Sequence, residues 1–224
     1  TNNYLLNFAA ARLSYNLGQN DLTLQILENR PSTINKYPFH YLGYLLGMSY
    51  LYKLEYEKSE QYFNRFLDNF KGNNYIKSAY HKLALIADLQ YNSEKKIIYF
   101  KKAIHEGSAS IDEDKVALKD AKQNYITHPI LLKGRLLYDG GYYPLALAEL
   151  QQIENPHYFS NSSNHIEYWY RLARIKAKLN VKYLDVISNY QKAFNLGKET
   201  STYFAPMSAL QIGLIYEKQN DTKL

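Results

Sequence analysis

A small residue returns at long, nearly even intervals along the chain, and this constrains the fold more than any other feature. Ala11, Gly47, Ala84, Gly134, Ala173 and Gly213 lie 36, 37, 50, 39 and 40 residues apart. Around each, large apolar residues recur at steps of three and four, as in Leu42, Leu45, Leu46 and Tyr50. That spacing is helical. Strict apolar–polar alternation, the mark of a strand, finds no convincing match. Chain breakers fall between the helical segments. Gly18-Gln19-Asn20-Asp21 and Asp139-Gly140-Gly141 read as turns, Pro31 follows a helix, and Pro38 and Pro144 sit where helices begin. Asn155-Pro156 closes the helix that Pro144 opens. A period of this length made of paired helices is the pattern of a helical solenoid. A single pair cannot bury its own apolar face, so stacking of pairs makes the core.

The step of 50 must hold an insertion. It falls between Gly107 and Thr127 and reads as an extra helix over 112–124. Ser110 and Asp112 are its candidate caps, acidic residues fill its first turn, and Lys122 lies in its last. The sequence therefore predicts an all-α, right-handed α-α superhelix spanning 1–224 as one unit. Its antiparallel hairpins are expected near 4–30, 38–71, 74–106, 128–155, 164–197 and 202–224.

The wording of the repeats resembles tetratricopeptide (TPR) repeats. Leu46-Gly47-x-x-Tyr50 is followed by Ser59, Phe63 and Phe66, and Ile212-Gly213-x-x-Tyr216 repeats the first half. Leu83-Ala84-x-x-Ala87 goes with Phe100-x-x-Ala103. Gly134-x-x-Leu137 goes with Ala146, Leu150 and Ile153, and Leu172-Ala173 with Tyr190-x-x-Ala193. Ala11 with Leu27 is the weakest match. The match is degenerate: Ser, Thr or Val often replaces Ala in the second helix, the turn proline is mostly absent, and the spacing is longer. About five and a half repeats cover the chain. The stretch from Leu136 to Tyr143 is also similar to uncharacterised bacterial TPR-containing proteins. The physical reason for the pattern is independent of the family. A small residue in the first helix lets the second approach, and large aromatics such as Tyr50 and Phe63 fill the space beside it.

The resemblance implies a protein–protein interaction scaffold whose first helices line a concave groove. The inward positions map to Arg12, Tyr15, Tyr41, Tyr44, Met48, Leu51, His81, Lys82, Asp88, His128, Arg135, Tyr138, Tyr170, Arg171 and Arg174. This set is aromatic at one end and basic at the other, and Tyr and Arg are enriched at binding hot spots. The expected partner is another protein or peptide, acidic or rich in aromatics, steered by Arg135, Arg171 and Arg174. Tyr41, Tyr44 and Tyr52 read equally well as packing residues. A clamp for a peptide C-terminus, known in part of the family, is not expected. Phe8, Arg12, Leu45, Ser78 and Lys82 stand at its positions and mostly fail to match.

Other functions find less support. With no cysteine, disulfides, thiolate metal sites and cysteine nucleophiles are ruled out. The six histidines show no metal-ligand spacing, and His157 and His165 flank a polar stretch, Ser160 to Asn164, that reads as a surface loop. Gly140-Gly141 lacks the pattern of a phosphate loop, and no nucleophile elbow is present. Asp112, Glu113 and Asp114 read as cap and dipole partners. The chain is expected to be no enzyme and to need no cofactor; an enzyme on an α-scaffold is the second alternative. A net charge of +6, from 27 basic and 21 acidic residues, is modest. Lys95-Lys96 and Lys101-Lys102 form the only dense basic clusters and read as a solvated helix face, so a nucleic-acid-binding repeat is the first alternative. No run of about 18 apolar residues offers a membrane span. A soluble protein of cytoplasm or periplasm is expected, with the compartment open because a targeting segment could precede Thr1. Tyr203 to Lys218 reads as a first helix without its second, so this end is expected to pack on another molecule or under the last residues.

Overall fold

The computed structural model describes residues 3–30, 39–156, 159 and 162–219. Pro31, Pro38, His157, Ser160 and the Asn220-Asp221 turn lie outside the described residues. Among the described residues the twelve helices are α1 (Tyr4–Asn16), α2 (Asn20–Glu28), α3 (Tyr41–Tyr52), α4 (Tyr56–Asn69), α5 (Ile76–Leu89), α6 (Ser93–His105), α7 (Asp112–Gln123), α8 (Pro129–Asp139), α9 (Tyr143–Gln151), α10 (Ser162–Lys178), α11 (Tyr183–Gly197) and α12 (Phe204–Lys218). No strand occurs among the described residues. The fold is all-α and built of adjacent helix pairs, the α-α superhelical class. The helices group into two compact units. The first is Thr1–Ile126 with Asp139–Gly141; the second is Thr127–Tyr138 with Tyr142–Leu224.

One turn is used five times among the described residues. Gly18, Leu54, Tyr91, Gly141 and Asn180 each stand two residues beyond the end of a pair's first helix, with φ between +54° and +85°. The next residue in each case donates its N–H to the carbonyl five back: Gln19 to Ser14, Glu55 to Tyr50, Asn92 to Ala87, Tyr142 to Leu137 and Val181 to Lys176. This is the Schellman ending, which satisfies carbonyls the helix leaves open. Only two of the five turns use glycine, so three pay the steric cost of a left-handed side chain.

The small residues do what their spacing implies. A Cβ on Gly47 would lie 2.8 Å from the Phe63 ring, and one on Gly134 would lie 2.9 Å from Leu150. Ala11, Ala84 and Ala173 are fully buried. A Cβ on Gly213 would meet nothing within 4 Å. Ser59, where a repeat of this kind has Ala, is buried and donates to the Gly47 carbonyl at 2.7 Å. The hydroxyl thus satisfies itself on the helix it packs against.

In the first unit, α1–α2, α3–α4 and α5–α6 stack in sequence, with α2 on α3 and α4 on α5. Ala11, Leu24, Leu27, Leu42, Leu45, Leu46 and Tyr50 form one core cluster. The insertion is the helix α7, which packs on α5 and α6. Its capping differs from expectation. Ile111 holds the N-cap position and no side chain caps the helix, neither Ser110 nor Asp112. Asp114 instead caps a different helix. Fully buried, it accepts the Tyr75 N–H at 2.7 Å and the Ser78 N–H at 2.9 Å, at the start of α5. Sequence spacing could not show this, because the two partners lie 39 and 36 residues away. Buried Lys77 acts at the same end of the pair, donating to the Ala103 and Ile104 carbonyls that end α6.

The second unit holds α8 to α12. Its core joins Ile166, Tyr170 and Ala173 of α10 to Val186, Tyr190 and Ala193 of α11 and Phe204 of α12. Of the stretch Ser160 to Asn164, expected to be a loop, the described residues from Ser162 onward are helical instead. Helix α10 already begins at Ser162, and Asn164 accepts from Thr127 at 3.3 Å.

Candidate functional site

The first helices of the first unit present one face to an open cleft. Arg12 and Tyr15 come from α1, Tyr41, Tyr44, Met48 and Tyr52 from α3, and Tyr75, Ser78 and Lys82 from the start and face of α5. Ser110 to Glu113 and Val116, at the start of α7, line the same space, which measures about 770 Å³. A smaller cavity of about 430 Å³ adjoins it, lined by Phe8, Phe39, Phe66, Phe70 and Asn74. Arg12, Tyr41 and Tyr75 line both cavities and so stand between them.

Ring packing makes this ridge rigid. Tyr75 lies 4.9 Å from Tyr41 and 4.9 Å from Tyr44, centroid to centroid. Its backbone is left-handed at φ +66°, a conformation disfavoured for a bulky aromatic, and Asp114 holds it there through the Tyr75 N–H. Tyr15 and Tyr52 stack at 5.4 Å and join hydroxyls at 2.7 Å. Tyr44 is buried, and its hydroxyl pairs with Ser78 at 2.7 Å.

Arg12 lies among these rings. Its guanidinium sits 5.7 Å from the Tyr15 centroid and 5.9 Å from that of Tyr41. Nη1 donates to the Tyr41 hydroxyl at 2.5 Å. Burial pushes the Tyr41 hydroxyl well above its ordinary range while the Arg12 charge pulls against that, so the phenol is neutral at pH 7. The arrangement is one cation held between two aromatic faces.

Of the residues expected in a groove, Arg12, Tyr41, Tyr44, Met48 and Lys82 are brought together in this cleft. His81 is not among its lining residues. It is 4% exposed, packed beside Phe100, with Nε2 3.3 Å from Asp120 of α7. The corresponding residues of the second unit are engaged in packing. Arg171 and Glu167 are each buried and form an ion pair, Nε donating to Oε1 at 2.6 Å, and Thr127 donates to the other Glu167 oxygen at 2.9 Å. Tyr170 is buried among Tyr190, Tyr203 and Phe204. Arg174 lies 4.2 Å over the half-buried Tyr138 ring, and Arg135 is half-buried. His128 lines a separate cavity of about 370 Å³ with Ile130, Ile153 and Phe159, and burial lowers its pKa.

The sequence reading missed the α7 wall and Tyr75. The step of 50 announced an inserted helix, but the residue that docks it, Asp114, looked like a partner for its own helix. The basic clusters of α6 are partly engaged: Lys95 pairs with Glu60 at 3.3 Å and Lys96 with Asp88 at 2.8 Å. No group of three or more metal-binding side chains occurs among the described residues. No described helix is long and apolar enough to cross a membrane. No protein-family model matches the chain, and no curated protein matches it at a significant level.

Proposed function

We propose that this chain is a non-catalytic, TPR-like interaction module that binds a segment of another protein in the cleft of its first unit. The observation that carries the reading is the convergence of side chains from three successive first helices on one open space of about 770 Å³. Groove recognition needs that geometry, because a partner segment must meet several helices at once. Tyrosine suits the task, offering a large rigid face and a hydroxyl at small entropic cost. The steering expected of Arg171 falls instead to Arg12 and Lys82, since Arg171 already spends its charge on Glu167.

A nucleic-acid partner is the weaker reading. Two lysines of the α6 cluster, Lys95 and Lys96, already pair with carboxylates, Glu60 and Asp88. Filter binding across a salt series separates the two, because phosphate contacts give a steep slope.

Selection from a displayed random dodecapeptide library tests the main reading. Recovered peptides should compete with one another and bind with one-to-one stoichiometry in calorimetry. Val116 is exposed on the α7 wall of the cleft, so Val116→Glu should fold normally and weaken them by about tenfold or more. Peptides that bind the variant as well as the wild type would refute the reading.

A further inference from the structure

Arg12 is a half-buried cation. Among the described residues, no carboxylate lies within ion-pair distance of it. Among the described residues its one hydrogen bond is to the neutral Tyr41 hydroxyl. Arg171 shows what this chain does with a buried guanidinium that serves packing: Glu167 neutralises it from four residues away. At the same helical distances from Arg12 stand Phe8 and Asn16, neither of which carries charge.

A guanidinium offers five N–H donors in a planar fork, and only one is used among the described residues. The rings of Tyr15 and Tyr41 flank it, and its unused donors suit a planar, two-oxygen acceptor. On one side of the Arg12 ridge is the small cavity walled by Phe8, Phe39 and Phe70, a receptacle for an aromatic side chain. Across the larger cavity stand Asp112 and Glu113 on α7, with Asp112 already paired to Lys115 at 3.0 Å. These carboxylates repel an anion from that wall; of the two cations lining the cavity, Arg12 and Lys82, Arg12 is the one that also lines the aromatic cavity.

Resting on the groove reading above, we infer that the ligand is a peptide segment carrying a carboxylate side chain for Arg12 and, close in sequence, an aromatic side chain for the Phe8–Phe39–Phe70 cavity. In an extended segment residues two apart face the same way, so the simplest matching pattern is Phe-x-Glu.

The probes are three blocked Gly/Ser dodecapeptides containing Phe-x-Glu, Phe-x-Gln or Ser-x-Glu, titrated by calorimetry. On the wild type, Phe-x-Glu binds tightest and each replacement weakens it by about tenfold, the loss typical of a charge-assisted contact or a buried ring. Arg12→Gln abolishes the preference for Glu over Gln, and Arg12→Lys restores part of it, because the ammonium keeps charge without the fork. A melting curve confirms that both variants fold. Equal binding of the Glu and Gln peptides overturns the inference, as does a preference that survives in Arg12→Gln, or no binding by any of the three. If library-selected peptides occupy the cleft without an acidic residue, this inference fails while the groove reading stands. If none occupies the cleft, both fail.

Discussion

The two units put the same residue types on their first helices and use them differently. In the first, an arginine and several tyrosines face an open cleft, and among the described residues no carboxylate pairs with the arginine. In the second, Arg171 is sealed in an ion pair with Glu167, and Arg174 lies over the Tyr138 ring. The lesson is that residue type alone does not mark a site; whether the charge is already satisfied does. A buried, paired arginine is architecture, and its loss of partner is costly. A half-exposed, unpaired one costs little to remove and is available to a ligand.

Breaking the ion pair is the harshest test of that contrast. Glu167→Gln leaves the Arg171 charge buried and uncompensated and should cost about 3–5 kcal/mol in chemical denaturation. Arg12→Gln should cost less than about 1 kcal/mol by the same measurement, since no buried partner is orphaned. Equal costs would erase the distinction between the units.

The next test concerns the small residues. Gly47→Leu should cost about 1–3 kcal/mol, because Phe63 occupies the space a side chain needs. Gly213→Ala should instead stabilise by about 0.5–1 kcal/mol, since it fills open space and improves helix propensity.

Asp114 sharpens the account of the cleft wall. Asp114→Asn keeps one acceptor oxygen for two backbone N–H groups and should cost about 1–2 kcal/mol. Burial raises the Asp114 pKa despite the two hydrogen bonds it accepts. The folded chain therefore holds this proton more tightly than the unfolded one. Its contribution is greatest below the ordinary aspartate range and declines as pH rises from there through the raised folded value. Denaturation across acid pH should show that decline in the wild type and a flatter profile in Asp114→Asn.

The smallest effect belongs to the shared turn. Tyr91 is 85% exposed with φ +58°, so Tyr91→Gly relieves a left-handed side chain while giving up little packing. A gain of about 0.5–1 kcal/mol is expected, after the extra freedom glycine gives the unfolded chain. A loss in the thermal melt would mean that the turn carries no strain.

Much of the fold was legible because its causes are local. The period of small residues located the hairpins, and the step of 50 located α7. The glycine turns at Gly18 and Gly141 were readable; Leu54 and Tyr91 were not, because context there overrides their preference. The cleft was half legible. Arg12, Tyr41, Tyr44, Met48 and Lys82 follow from the repeat register that the family resemblance implies. Tyr75 and the α7 wall do not, because they depend on Asp114 reaching α5, a contact that no periodicity encodes. The pair Glu167 and Arg171 was visible as an i,i+4 spacing, and it should have removed Arg171 from any list of open cations.

The most direct test of the cleft as the binding site is nuclear magnetic resonance with a library-selected peptide, following the Arg12 side-chain Nε–H and the backbone amides. The account predicts that the largest shifts fall on the Arg12 Nε–H, on Tyr41 and Met48 of α3, and on Ser110 to Val116. Shifts concentrated on the exposed leucines of α1, such as Leu5 and Leu13, or within the second unit, would contradict it.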